Sequence, residues 1–167
     1  AVDQSHPAFN DANITAKSFL SGNVKSPTLH GTAVASVLVG KIDNQAALLT
    51  GAHLYSGEVF YRQSEYTQGA TLNAMIEAIN WLIEEHANVI NMSLAGPDNA
   101  ILKAVINAAL EKGVFIVAAA GNEGPAAPVV FPAGYENVIA VSAIDQNQQP
   151  YRWSNQGSHI DYAALGV

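Results

Sequence analysis

The chain contains no cysteine, which excludes disulfides and thiol chemistry and leaves cytosol, periplasm and secretion all compatible. Charge is scarce too. Asp, Glu, Lys and Arg make up 13% of the residues, about half the usual share. Only seven Lys and Arg are spread over the 167 residues, and the net charge is −7. Phosphate recognition needs clustered cations, so nucleic acid is excluded as a partner. No window approaches the ~18 consecutive apolar residues of a membrane span, so no membrane partner is expected. The opening AVDQSHPAF has neither the basic start nor the apolar stretch of a signal peptide.

What the chain does have is apolar surface. The apolar fraction is 49%, enough to offset ordering entropy and build one core. A single domain over 1–167 is therefore expected. Residues 1–28, with Pro7, Gly22 and Pro27, read as a polar surface segment leading to a helix that opens at His30. Ala52 to Tyr61 reads as a strand. From Ala70 to His86 the residues Leu72, Met75, Ile76, Ile79, Leu82 and Ile83 recur at helical spacing. Asn88 to Leu94 is a short apolar run of strand length. Asn99 to Lys112 is helical by period, with Asp98 as the N-cap and Gly113 as the stop. Val114 to Ala119 reads as a strand buried on both faces, and Val138 to Ala143 repeats that pattern.

Strands alternating with long helices predict an α/β fold: three layers, a parallel sheet with helices on both faces. In such sheets ligands bind beyond the carboxyl ends of the strands. Those ends are Ser93-Leu94-Ala95-Gly96 and Ala120-Gly121-Asn122-Glu123-Gly124, both small and rich in glycine, so backbone groups there can approach a ligand closely.

Three binding chemistries fail on motif. The chain has no G-x-G-x-x-G for a dinucleotide and no G-x-x-x-x-G-K-[ST] for a phosphate. Its five histidines, at 6, 30, 53, 86 and 159, form no H-x-x-x-H pair for zinc. What remains is His30 in LHGTAVASVLVG and Asn122 in AAGNEG. A histidine at a helix start can act as general base, and an exposed Asn amide beside glycines can donate to a developing oxyanion. That pairing suits acyl transfer.

At this point the chain resembles the subtilisin-like serine peptidases, in five segments that follow the family's order. His30-Gly31-Thr32 resembles the histidine motif, in which the imidazole takes the proton of the nucleophilic serine. Val89 to Leu94 is similar to the strand whose far end, here Ser93, Leu94, Ala95 and Gly96, pairs with extended substrate. Ala118-Ala119-Ala120-Gly121-Asn122-Glu123-Gly124 resembles the segment that walls the primary specificity pocket with Ala118 to Gly121 and supplies the oxyanion donor, Asn122. Phe131-Pro132-Ala133 with Val138 to Val141 resembles the next loop and strand. Ile160 to Val167 is similar to the approach to the serine helix.

Two departures accompany these matches. The family's catalytic aspartate stands just upstream of D-x-S-H-P, and here Asp3-Gln4-Ser5-His6-Pro7 lies at the very start. The resemblance thus places the triad aspartate about two residues before Ala1, and Asp3 is not that residue. No Gly-Thr-Ser occurs, and the nucleophile is expected roughly 20 residues or fewer beyond Val167. The fold expected for 1–167 is therefore incomplete, lacking the first central strand and the serine helix. A sheet without an interior strand leaves backbone groups unpaired, so another segment or chain is expected to complete it.

The resemblance also implies a polypeptide substrate, and the small residues Ala118 to Gly121 leave room for a medium or large apolar P1 side chain. No cofactor is required. The family's calcium site after the His-Pro pair is expected to be missing, because Ala8 carries no oxygen ligand and the loop Lys41 to Thr50 is short. A weaker calcium or alkali-ion site would use carbonyls of Ala133, Tyr135 and Val138 with the Asp161 carboxylate. By resemblance the compartment is secreted or periplasmic, with the cytoplasm still compatible. The rival class is a peptidase-like module that binds peptides or partners without cleaving them.

Overall fold

The structure is a computed structural model that describes every residue except Asn23, 42–44 and 65–67. Part of the Lys41–Thr50 loop therefore lies outside the described residues. The chain divides into two compact units, Ala1–Glu84 and Glu85–Val167.

In the first unit, strands β1 (Asn13–Ser18) and β2 (His53–Glu58) form a parallel pair, Asn13 opposite His53 and Ser18 opposite Glu58. Alternation along the strands sorts their side chains onto two faces. Ile14 and Leu54 pack with Ala35 and Val39 of helix α1 (Leu29–Val39). The opposite face carries Tyr55, whose ring meets Trp81 of helix α2 (Leu72–Glu84) edge-on at 5.8 Å. One helix thus covers each face of the pair, as the α/β reading requires. Between β2 and α2 lie the short antiparallel strands β3 (Phe60–Arg62) and β4 (Gln68–Ala70).

Several expectations need correction in this unit. Residues 1–28 are not a mere surface lead-in: Val2, Ala8 and Phe9 are buried in the core beside α1, and β1 lies within them. Its sequence NITAKS offers only Ile14 and Ala16 to one face, too weak a pattern to register as a strand. The expected strand Ala52–Tyr61 is two strands, interrupted at Val59. Helix α2 starts two residues later than expected, because the Thr71 hydroxyl accepts from the Ala74 N–H at 3.2 Å and caps it. It ends at Glu84, short of His86, whose φ of 58° is left-handed.

The second unit is a four-stranded parallel sheet in the order β5 (Val89–Met92), β6 (Phe115–Ala119), β7 (Ile139–Ile144), β8 (Tyr162–Leu165). Helix α3 (Ala100–Glu111) packs on β6 and buries Leu102, Ile106 and Ala109. Because α3 is this unit's one helix, β6 is not buried on both faces as expected. Ile116 and Ala118 are enclosed, while Phe115 is 62% exposed beside an equally open Val89. Strand β8 had no counterpart in the sequence reading, since Tyr-Ala-Ala-Leu is exposed throughout. Among the described residues, β1 and β2 form one parallel sheet and β5 to β8 another, with no strand common to both.

The cap of α3 is Asn99, not Asp98. The Asn99 carboxamide oxygen accepts from the N–H groups of Ile101 and Leu102, both at 3.0 Å, because the cap must directly precede the first helical residue. Both types are good caps, and Asp98 stands one position too early. Tyr135 then holds the cap in place: its hydroxyl donates to the Asn99 carbonyl and accepts from the Asn99 N–H, each at 3.0 Å. Burial pushes the phenol's pKa up, so the donor is retained. Tyr135→Phe is expected to cost about 0.5–1.5 kcal/mol, the net worth of a hydrogen bond to half-buried backbone groups. A fall in urea midpoint at constant slope would report it; an unchanged midpoint would mean that the hydroxyl holds nothing.

Candidate active site

His30 lies in the first turn of α1, after Thr28, which supplies no side-chain cap. The ring is solvent-exposed and makes no hydrogen bond among the described residues. Its neighbours hold the start of the chain against that turn. The Thr32 hydroxyl accepts from the Asp3 N–H at 2.9 Å, and a Cβ at Gly31 would run into the Ala1 carbonyl. The motif His-Gly-Thr therefore has a division of labour: one residue exposes an imidazole, and the next two receive residues 1–3. Asp3 itself is engaged elsewhere. Its carboxylate accepts from the Ser5 hydroxyl at 2.6 Å and the Ser5 N–H at 3.0 Å, which holds its pKa below the usual carboxylate value.

The other histidines occupy different settings. The His6 ring accepts from the Ala8 N–H at 3.2 Å. Nε2 of His53 lies 2.8 Å from the Thr15 hydroxyl, and Nε2 of His159 is buried without a partner among the described residues.

In the second unit the parallel order puts the carboxyl ends of β5 and β6 side by side, Met92 being opposite Ala118. Ser93 to Gly96 and Gly121 to Gly124 accordingly leave the same edge of the sheet. Gly96 forms an antiparallel bridge with Phe131, each N–H donating to the other's carbonyl at 2.9 Å. Both backbone groups of Gly96 are therefore taken by Phe131. Ala118 and Ala120 are buried at 1% and 2% exposure, while Ala119 is half-buried, as alternation demands.

Asn122 is exposed, in a bend bracketed by Gly121 at φ 104° and Gly124 at φ 102°. Three hydrogen bonds fix this bend to the segment Trp153–Asn155. The Asn155 N–H donates to the Gly121 carbonyl at 3.1 Å, and the Gly124 N–H donates to the Trp153 carbonyl at 2.9 Å. Between them the Glu123 N–H donates to the Asn155 carboxamide oxygen at 2.8 Å. Ser154 and Asn155 are buried, at 2% and 0% exposure. Sequence reasoning missed them, because Arg-Trp-Ser-Asn-Gln-Gly has the composition of a surface turn and nothing in it marks which polar residue turns inward.

A side chain at Gly121 is excluded twice over. A Cβ there would lie 2.5 Å from Nδ2 of Asn155 and 2.6 Å from a Glu123 carboxylate oxygen, and the left-handed backbone disfavours it independently. Gly121→Ala is expected to lower stability by ~1–3 kcal/mol from the backbone conformation alone. A chemical denaturation midpoint equal to that of the unsubstituted protein would contradict this geometry.

The proposed cation ligands are partly engaged. The Asp161 carboxylate accepts from the Ala140 N–H at 2.8 Å, and the Tyr135 carbonyl accepts from the Val138 N–H at 3.3 Å. The side chains of Ala133, Tyr135 and Val138 are buried. Among the described residues, no three His, Cys, Asp or Glu side chains gather to hold a metal.

Comparison with known proteins agrees with these features. The chain is 33% identical to Subtilisin E of Bacillus subtilis (strain 168), over 99% of this chain and 44% of that protein. It is 32% identical to the Minor extracellular protease Epr of the same organism, over 88% of this chain and 23% of that one. Among solved structures, the Prenylagaramide maturation protease PagA superposes with a TM-score of 0.84 at 30% identity, covering 99% of this chain and 60% of that chain. The chain thus spans less than half the length of Subtilisin E. With the model of the Subtilase family matching residues 1–167 throughout, and with histidine turn, parallel sheet and Asn-bearing bend in the order described, this chain belongs to the Subtilase family.

Proposed function

We propose that these residues form part of one catalytic domain of a subtilisin-like serine endopeptidase. The observation that carries this reading is Asn122, an exposed residue on a hydrogen-bonded, glycine-bracketed bend at the carboxyl edge of a parallel sheet. In the intact enzyme, His30 removes the proton of a serine hydroxyl supplied by residues beyond Val167. The oxygen attacks the scissile carbonyl, and the Asn122 amide donates to the resulting oxyanion. His30 passes its proton to the departing amine, and water then releases the acyl group by the same two steps. The carboxylate that orients the imidazole comes from the residues leading into Ala1. The anchoring of residues 1–3 on Gly31 and Thr32 supports this, because it delivers the preceding chain to the turn that bears His30.

Substrate lies extended along Ser93, Leu94 and Ala95, with its P1 side chain against Ala118 to Gly121. The small size of these residues favours a medium or large apolar P1. A strand from another segment completes the sheet. No cofactor takes part in the chemistry, and a calcium or alkali ion near Asp161 would serve structure only. Secretion is supported by likeness to an extracellular protease; among the described residues, no helix is long and apolar enough to cross a membrane. Incubating the full-length protein with internally quenched peptides tests the reading. Cleavage after apolar residues, mapped by mass spectrometry, is expected. Peptide binding without cleavage would favour the non-catalytic module instead.

A further inference from the structure

We propose that Asn155 is a positioning residue for catalysis, acting through the bend that carries Asn122; this rests on the peptidase reading above. The bend is held on both sides of Asn122, at Gly121 and at Glu123, and both of those bonds end on Asn155. Asn155 is in turn fixed to the sheet. Its neighbour Ser154 accepts the Ala143 N–H of β7 at 3.2 Å through its hydroxyl, and the Tyr151 N–H donates to the Ala143 carbonyl at 2.9 Å. The donor loop is thereby referenced to β7, independently of its own short turn.

The choice of residue argues the same way. Asn155 is fully buried, and among the described residues its Nδ2 has no partner, which is unfavourable for a donor out of water. An apolar side chain of similar size would fill the same space without that cost. What an apolar residue cannot do is accept the Glu123 N–H, the first backbone donor after Asn122. Gly121 completes the device, since only its missing Cβ lets the carboxamide lie against the bend. An oxyanion donor acts only if it is aimed before charge develops, and displacement by ~1 Å can cost up to about 100-fold in rate.

Two measurements on the full-length protein test this. Amide hydrogen exchange of the unsubstituted protein should show the Glu123 N–H protected like those of β6. Free exchange at Glu123 would overturn the clamp, whether or not the protein is active. Kinetically, Asn155→Leu should lower kcat by ~10–100-fold with KM little changed, and Asn155→Asp, which keeps the acceptor oxygen, should recover most of it. In a background already carrying Asn122→Ala, Asn155→Leu should have no further effect on kcat. Full additivity of the two substitutions, or an Asn155→Leu variant as fast as the parent, would show that Asn155 only fills space. A parent that hydrolyses no peptide defeats the peptidase reading instead, and leaves the clamp to be decided by the exchange of Glu123.

Discussion

Replacing His30 with alanine in the full-length protein is expected to remove peptide hydrolysis almost entirely, with kcat falling about 10⁶-fold. That is the size of the corresponding effect in subtilisin, a member of the same family. A serine hydroxyl is a weak nucleophile until a base within reach takes its proton. The His30 ring is exposed, makes no hydrogen bond among the described residues, and stands on a turn whose next two residues grip the start of the chain. The other histidines are not interchangeable with it. His53→Ala, which loses a contact to the Thr15 hydroxyl at the surface, should leave kcat within about twofold, as substitutions away from the chemistry usually do. Loss of the same size in both variants would place the base elsewhere.

The second large effect is expected at Asn122. Asn122→Ala should lower kcat by ~10²–10³ while KM stays nearly constant; the magnitude is again that of the equivalent donor in subtilisin. The split between the two constants is the informative part. An amide that meets the oxyanion does little for the planar ground-state carbonyl, so its removal is felt in the transition state alone. The exposure of Asn122 and the burial of the segment behind it fit that role: the tip is free to meet substrate while Asn155 and Ser154 keep its base still. A variant that binds substrate poorly but turns it over normally would remove Asn122 from the oxyanion site.

What the sequence makes legible depends on the kind of signal each residue carries. Helices α2 and α3 declare themselves by apolar recurrence, and β5, β6 and β7 by short apolar runs, so the parallel sheet with crossing helices could be read directly. Strand β1 could not. Its partner β2 lies 40 residues away in register, Asn13 opposite His53, and pairing of that range leaves no local pattern. Strand β8 is exposed throughout and has no hydrophobic alternation to read.

Caps show a finer limit. Asp98 and Asn99 are chemically equivalent candidates, and only the position of the first helical residue decides between them. His30 and Asn122 stand out in the sequence because each lies in a recognisable motif at a helix start or strand end. Asn155 had neither. Its role arises from a bend about 30 residues earlier in the chain, and a polar residue in a polar turn does not announce that it is buried.

If His30 and Asn122 serve a serine peptidase, one serine of the full-length protein must be activated as a nucleophile. Fluorophosphonate labelling of the full-length protein, with the modified residue located by tandem mass spectrometry, tests it most directly. One labelled serine is expected, on a segment C-terminal to Val167, with labelling lost in the His30→Ala variant. A folded full-length protein that takes no label, or one labelled equally well without His30, would contradict it.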